Sequence, residues 1–281
     1  MKSPNKPLVI YHGNCADGFT AAWIFWREFG EAMEYFPGKY QEAPPDVTGR
    51  DVFLLDFSYK RPVIEQMLEV ANHVVLLDHH QSAIEGLSDI VHPHFTNYAD
   101  TTKSGAVLAW EYLHTDPPLS MVFHVQDRDL WHFKLPGTRE LSEFLFAHEY
   151  EFEKWTELME MGFMEREDAI QAGALVVKKH FKDLHELLKA STRWMTIDGM
   201  SVPIANLSYM MASDAGNYLA KTSPFAGTYY DGTKHRHFSL RSTKENAEWM
   251  DVSKVAEQYG GGGHIHASGF KVPRDHVLAR T

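Results

Sequence analysis

The chain has a single cysteine, Cys15. That excludes an intramolecular disulfide and any thiolate-rich zinc cluster, and it fits a reducing compartment. Positive charge is scarce as well: 27 lysines and arginines face 38 acids, for a formal net charge of −11. Such a balance argues against a protein that grips long nucleic acid with a basic surface. Nowhere do the ~18 consecutive apolar residues of a membrane span occur. The basic start Met1–Pro7 leads only into Leu8–Tyr11, too short for a signal-peptide core. Internal repeats and low-complexity tracts are also missing. A soluble, unexported, cytoplasmic protein with no membrane contact is the expectation.

With 281 residues, 44% hydrophobic and 23% charged, the chain can bury one large core or two modest ones. The first half alternates short apolar runs with helical patterns: Leu8–Tyr11, then Gly18–Gly30; Val52–Asp56, then Pro62–Ala71; then His73–Asp78. Runs of successive apolar residues separated by helix-length segments predict parallel βαβ units, with ligands outside the carboxyl ends of the strands. From Ser104 to about Lys189 the pattern is helical, with Leu119–Trp131 and a long Arg166–Lys189 segment among the helices. Beyond it, Trp194–Ile197, Ser201–Ala205, Gly227–Tyr230 and His237–Arg241 read as strands, and Met210–Leu219 and Asp251–Tyr259 as helices. The fold class is therefore α/β, with domains over 1–190 and 191–281 and a boundary near residue 190.

Asp78-His79-His80 closes the apolar run His73–Leu77, so a strand delivers an acid and two imidazoles to one spot. His12 with Asp17, Asp56, and Val122–Asp127 place further acids and imidazoles after apolar segments. Any one of these aspartates could be a helix cap or turn former; together they predict a metal centre. Carboxylates with imidazoles and almost no sulfur suit Mn²⁺ above all, with Mg²⁺, Fe²⁺ or Co²⁺ as alternatives. Two ions about 3.5–4 Å apart would activate a nucleophile and neutralise a phosphoryl centre, with Asp56 as the natural bridge.

The tail carries Gly260-Gly261-Gly262-Gly263-His264-Ile265-His266-Ala267-Ser268-Gly269-Phe270. Four glycines in a row imply close approach of the main chain to something. Placed before a helix, their amides could cradle a phosphate, with His264 as a further donor. Arg241, at the end of its strand and next to Ser242, offers a fork-shaped phosphate donor. His235 and His237 share a strand face and read as inert surface histidines. Trp23, Trp26, Trp110 and Trp131 read as core, and Ser104-Gly105-Ala106 as a helix start close to the metal cleft.

The order His12…Asp17, Asp56, Asp78-His79-His80, Asp127, Ser239–Ser242 and Gly260–Phe270 resembles the DHH/DHHA1 phosphoesterase superfamily over nearly the whole chain. That group includes RecJ-like exonucleases and the oligoribonuclease (NrnB-like) and cyclic-dinucleotide phosphodiesterase branches. The resemblance implies a DHH domain with a parallel sheet flanked by helices, a smaller α/β DHHA1 domain, and an active site in the cleft between them. It also implies metal ligation by His12, Asp17, Asp56, His79 and Asp127. His80 would face the scissile phosphate, with Asp78 orienting a neighbouring imidazole. Arg241, Ser242, Gly262, Gly263 and His264 would hold the substrate.

One departure stands out. The first motif of that group carries two acids flanking one residue, whereas this chain reads His12-Gly13-Asn14-Cys15-Ala16-Asp17-Gly18, with Cys15 in place of the first acid and the histidine one residue closer. Cys15 could ligate as thiolate, Asn14 could lend its carbonyl oxygen, the first site could fill only with substrate, or Cys15 could be a small buried hydrophobe. The leading expectation is metal-dependent hydrolysis of phosphodiesters in small nucleotides or short oligonucleotides by a metal-bound hydroxide. Phosphomonoester or pyrophosphate hydrolysis, and a non-catalytic nucleotide-binding module, are the alternatives. A homodimer is an allowed assembly.

Overall fold

The structure is a computed structural model that describes residues 6–40 and 42–280. It divides into two compact units, the first ending at Lys178 and the second beginning at Lys179. The division falls inside a long helix, short of the boundary expected near residue 190, which lies at that helix's end.

In the first unit the chain runs β1 (Leu8–His12), α1 (Ala16–Phe29), β2 (Glu34–Gly38), β3 (Asp51–Leu55), α2 (Arg61–Val70), β4 (His73–Leu77), α3 (Gln81–Leu87) and β5 (Phe95–Asn97). Helices follow: α4 (Gly105–Leu113), α5 (Ser120–Asp129), α6 (Thr138–Phe146), α7 (Phe152–Met159) and the long α8 (Phe163–Ser191). The sheet order is β2-β1-β3-β4-β5, all pairs parallel. Both faces are covered, which is why these strands are apolar throughout. Val9, Leu55, Val75 and Leu77 pack under α1, α4, α5 and α7. Leu8, Ile10, Val52, Leu54, Val74 and Leu76 face α2 and Leu87. From β1 the chain moves first to β2 on one side and then to β3 on the other. The β1/β3 boundary is thus the topological switch point, where open parallel sheets leave a crevice beyond the strand ends.

The second unit holds the end of α8, then β6 (Thr192–Ile197), β7 (Met200–Asn206), α9 (Ala212–Ala220), β8 (Ala226–Asp231), β9 (His235–Arg241), α10 (Val252–Glu257), β10 (Gly262–His264) and β11 (Ala267–Pro273). Its sheet order is β10-β11-β9-β8-β7-β6, antiparallel except for β7 with β8. One face buries Ile204, Phe238, Leu240, Phe270 and Val272 with α10. On the other, Ala205 and Leu207 meet Leu184, Leu188 and Ala215 of α8 and α9. Among the described residues no helix is long and apolar enough to cross a membrane.

The glycine run does not precede a helix. Gly260 stops α10 with a positive φ of 77°, its amide bonded to Glu257 O and that of Gly261 to Ala256 O. Gly262 and Gly263 then open β10, which pairs with β11. A Cβ on Gly261 would collide with Gly269 O, and Gly263 sits at φ 140° against Ala267 and Ser268. The close approach that the glycines serve is therefore to the neighbouring strand of this hairpin.

Candidate metal centre

The ends of β1, β3 and β4 bring His12, Asp56 and Asp78-His79-His80 together, and α1 adds Asp17 from its first turn. Asp56, one residue beyond β3, has a φ of 54°, a conformation that aspartate tolerates better than most residues. It is still tied to the sheet through its amide, which donates to Leu77 O at 2.9 Å. Two groups of donor atoms, each within 4.8 Å of one another, share this carboxylate: His12, Asp56 and His80, and Asp17, Asp56 and His79. His79 Nε2 stands 3.0 Å from Asp56 Oδ1, and His12 Nδ1 stands 3.4 Å from Asp56 Oδ2. Yet Asp56 is 1% exposed and, among the described residues, neither of its oxygens accepts a well-formed hydrogen bond.

Asp17 is held by the start of α4. Gly105 N donates to its Oδ2 at 2.6 Å and Ala106 N to its Oδ1 at 3.1 Å, a carboxylate on a helix N-terminus. Gly105 permits the approach, because a Cβ there would strike Asp56 Cβ and stand 2.9 Å from Asp17 Oδ2. Ser104 caps the helix, its Oγ accepting from Val107 N. Asp78 Oδ1 accepts from the amides of His79 and His80 and lies 2.7 Å from His80 Nδ1. A proton on Nδ1 directed at Asp78 leaves the lone pair on Nε2 of His80.

The charges conflict. Burial, then Asp56 and Asp129, push the Asp17 carboxyl well above the usual carboxylate range, against the pull of His79. Burial opposes ionisation of Asp56, but His12 and His79 overcome it and hold its pKa low. Burial also works against a charged His79, yet Asp129, Asp56 and Asp17 together raise it to about 11. His12 follows the same balance, burial lowering and Asp56 raising, with a net upward shift. Acids this close, with protons forced onto imidazoles to balance them, fit a divalent cation in place of those protons.

Asp127 is not brought to this cluster. Its segment is helix α5, and its carboxylate accepts from Lys134 N at 2.9 Å, Leu135 N at 2.9 Å and Thr138 Oγ1 at 2.7 Å. Burial opposes its charge, but those donors hold its pKa down. On a helix, residues two apart face different sides, so Asp129 points elsewhere: its Oδ2 lies 3.3 Å from His79 Nε2. Of the two acids, the one expected from the resemblance, Asp127, is thus turned away from His79, and Asp129 is the one beside it.

Cys15 is the N-cap residue of α1; its side chain makes no capping bond, while its carbonyl accepts from Phe19 N at 2.9 Å. Its thiol is pushed up by burial and then by Asp56, Asp129 and Asp17, so it faces the acids. Among the described residues it belongs to no group of close donor atoms. Asn14 is exposed, with φ 59°. Tyr40, which no motif marks, arrives because β2 lies beside β1. Its ring stands edge-on to His12 at 5.3 Å and to His80 at 6.0 Å.

The residues expected to hold substrate lie in the second unit. Arg241 ends β9, with Nη2 donating to Ser213 Oγ at 2.9 Å and Nη1 to Leu240 O at 2.8 Å. Ser242 is 2% exposed, and its Oγ lies 2.9 Å from His266 Nδ1. Gly262, Gly263 and His264 form β10. His264 and Arg241 are both in register with Ala267 of β11, so they flank it on one face of the sheet.

No family model matches the chain. An uncharacterized protein of Acanthamoeba polyphaga mimivirus is 30% identical over 287 residues, covering 94% of this chain and 66% of that protein. Among solved structures, the DHH domain of a member of a ribosomal-protein family superposes with a TM-score of 0.61 at 14% identity, over 96% of this chain and 83% of that one. RecJ from Thermus thermophilus, solved with Mn²⁺, gives a TM-score of 0.51 at 14% identity, over 95% of this chain and 49% of that one.

Proposed function

We propose, for a chain whose fold is similar to that of a DHH domain and of RecJ, that it is a divalent-metal-dependent phosphodiesterase acting on small nucleotides or short oligonucleotides. The observation that carries this reading is Asp56, a buried carboxylate shared by two donor groups and accepting no well-formed hydrogen bond. His12, Asp56 and His80 would hold one ion, and Asp17, Asp56, His79 and Asp129 the other. Mn²⁺ is the first choice for an oxygen- and imidazole-rich set. When bound, such ions supply Lewis acidity and lower the pKa of water.

The chain's own residues supply position and charge. Asp78 fixes the His80 ring through Nδ1, and the amides of Gly105 and Ala106 fix Asp17. Arg241, Gly262 and His264, which lie on one face of the sheet, would bind a phosphate of the substrate, Arg241 by its forked donors; Ser242, buried against His266, and Gly263, in register with Ser268, would shape the strand ends beside them. The net charge of −11 favours short substrates over long nucleic acid.

The test is an assay of purified protein on a linear dinucleotide, a cyclic dinucleotide, a short RNA and pyrophosphate, each with Mn²⁺ and with chelator. Mn²⁺-dependent release of a nucleoside monophosphate from the dinucleotide is expected, and His79→Ala should abolish it. Orthophosphate as the only product would shift the reading to a phosphomonoester or pyrophosphate hydrolase. If every substrate survives in Mn²⁺, the enzymatic reading fails.

A further inference from the structure

Three transverse rows of side chains lie on the face of the second unit's sheet that carries Arg241. The first is His264, Ala267 and Arg241; the second, two residues along, is Gly262, Gly269 and Ser239; the third is Lys271, His237 and Tyr230. Residues in register on neighbouring strands point to the same side. The alternation of burial agrees. Ala267, Gly269 and Lys271, like His235, His237, Ser239 and Arg241, are half-buried, while Ser268, Phe270, Val272, Phe238 and Leu240 are buried beneath them. Over β10, β11 and β9 the face thus has a cationic end, a middle with almost no side-chain height, and an aromatic end; beyond β9 the middle row continues through Thr228 to Ala205, which is buried under α8 and α9.

The aromatic end is ordered in a way that cross-strand neighbours do not require. The rings of Tyr230 and His237 are parallel within 4° at a centroid separation of 4.7 Å. Tyr209, 54% exposed, continues the row beyond Tyr230 at 6.1 Å. Across the strands on its other side, the neighbour of His237 is not a ring but the long side chain of Lys271, in register on β11. Burial, and then Lys271 and His235, hold the His237 pKa below the ordinary imidazole value. A neutral ring stacks on a nucleobase without a charge to desolvate, and Lys271 adds a cation for the backbone that carries that base.

We propose that the Tyr230–His237 pair is a nucleobase-stacking platform, on which a base caps His237 beside Lys271 while a phosphate of the same ligand sits at the Arg241–His264 row. This deepens the function proposed above, since it takes its phosphate end from that reading. The two rows are four residues apart along the strand, about 14 Å. That is farther than a base reaches from its own phosphate, so the ligand is at least a dinucleotide. The low middle row, Gly262, Gly269 and Ser239, leaves room for the intervening sugar and phosphate. Base–aromatic stacking tolerates any base identity, so the platform reads length rather than sequence.

The test is calorimetric binding to the full chain in chelator, where nothing is turned over. The probes are 5′-phosphorylated diadenylate, its two singly abasic analogues, and adenosine monophosphate. The wild type should bind the diadenylate roughly tenfold more tightly than one of the abasic analogues. His237→Ala should erase that difference while His237→Phe keeps it. Arg241→Ala should weaken all the phosphorylated dinucleotides together. Equal affinity of the wild type for all three dinucleotides, no binding of any of them, or a preference that survives His237→Ala overturns the platform. Failure of the phosphodiesterase reading shows separately, as a chain that keeps the base preference in chelator yet cleaves nothing in Mn²⁺.

Discussion

Replacing Asp127 and Asp129 separately, each by asparagine, distinguishes a residue that builds the loop from one that belongs to the metal centre. Asp127 is 6% exposed and accepts three hydrogen bonds. An amide in its place would turn an NH₂ group toward at least one of those donors. Bonds to a charged acceptor contribute about 1.5–3 kcal/mol each, but the Lys134 and Leu135 bonds are only part-buried. The lower end applies, and the expected loss is about 2–4 kcal/mol. At ~2–4 °C per kcal/mol for a domain of this size, Tm should fall by about 4–16 °C. Asp129→Asn removes a carboxylate that faces His79 and helps push up Asp17. Metal-free stability should change little, because relief of Asp17 is offset by loss of the charge that most supports protonated His79, while Mn²⁺ affinity falls roughly tenfold or more. Unfolding must be followed in chelator, because bound metal stabilises by mass action, and metal titration is run separately on each variant. An Asp127→Asn protein that keeps its Tm but loses Mn²⁺, beside an Asp129→Asn protein that binds normally, refutes this division of roles.

Two further outcomes follow from the charges of the centre. His79 carries its raised value of about 11 only without metal, and its proton must leave before the ring can ligate. Mn²⁺ affinity should thus climb by about one decade per pH unit between about pH 6 and 8, or more steeply where His12 and Asp17, also raised, give up protons too, with proton release to the buffer; titration in buffers of different ionisation heat measures both, and a flat profile contradicts the assignment. The sign for the metal-free fold is opposite: the stability contributed by protonated His79 is full below the free imidazole value and is lost as pH rises toward about 11. The group of His12, Asp56 and His80 has one carboxylate, shared, whereas Asp17 and Asp129 adjoin the other. Restoring the missing acid by Cys15→Asp should tighten the second equivalent of Mn²⁺ more than the first, and an unchanged second step in the titration would show that position 15 lies outside the ions' reach.

What could be read from the residues depended on how each element is buried. Strands β1, β3 and β4 are covered on both faces, so they read as unbroken apolar runs, and their ends gave His12, Asp56 and Asp78-His79-His80. Strand β2, with Pro37 in an edge position and half-exposed side chains, carries no such run. The sequence could not show that its end sets Tyr40 against the two histidines. Strands β10 and β11 were hidden by their own glycines, which pack as strand residues only because the neighbouring chain is too near for a Cβ. The choice between Asp127 and Asp129 turned on period. Two residues apart, they oppose each other on a helix, so a helical Leu119–Trp131 can bring only one of them to the cluster, and the order of motifs alone pointed to Asp127. Once the segment is α5, Asp127 must face the chain that folds back through Lys134 and Thr138. The acid left to meet His79 is then the one two residues later, at the helix end, where the chain turns through the positive φ of Trp131.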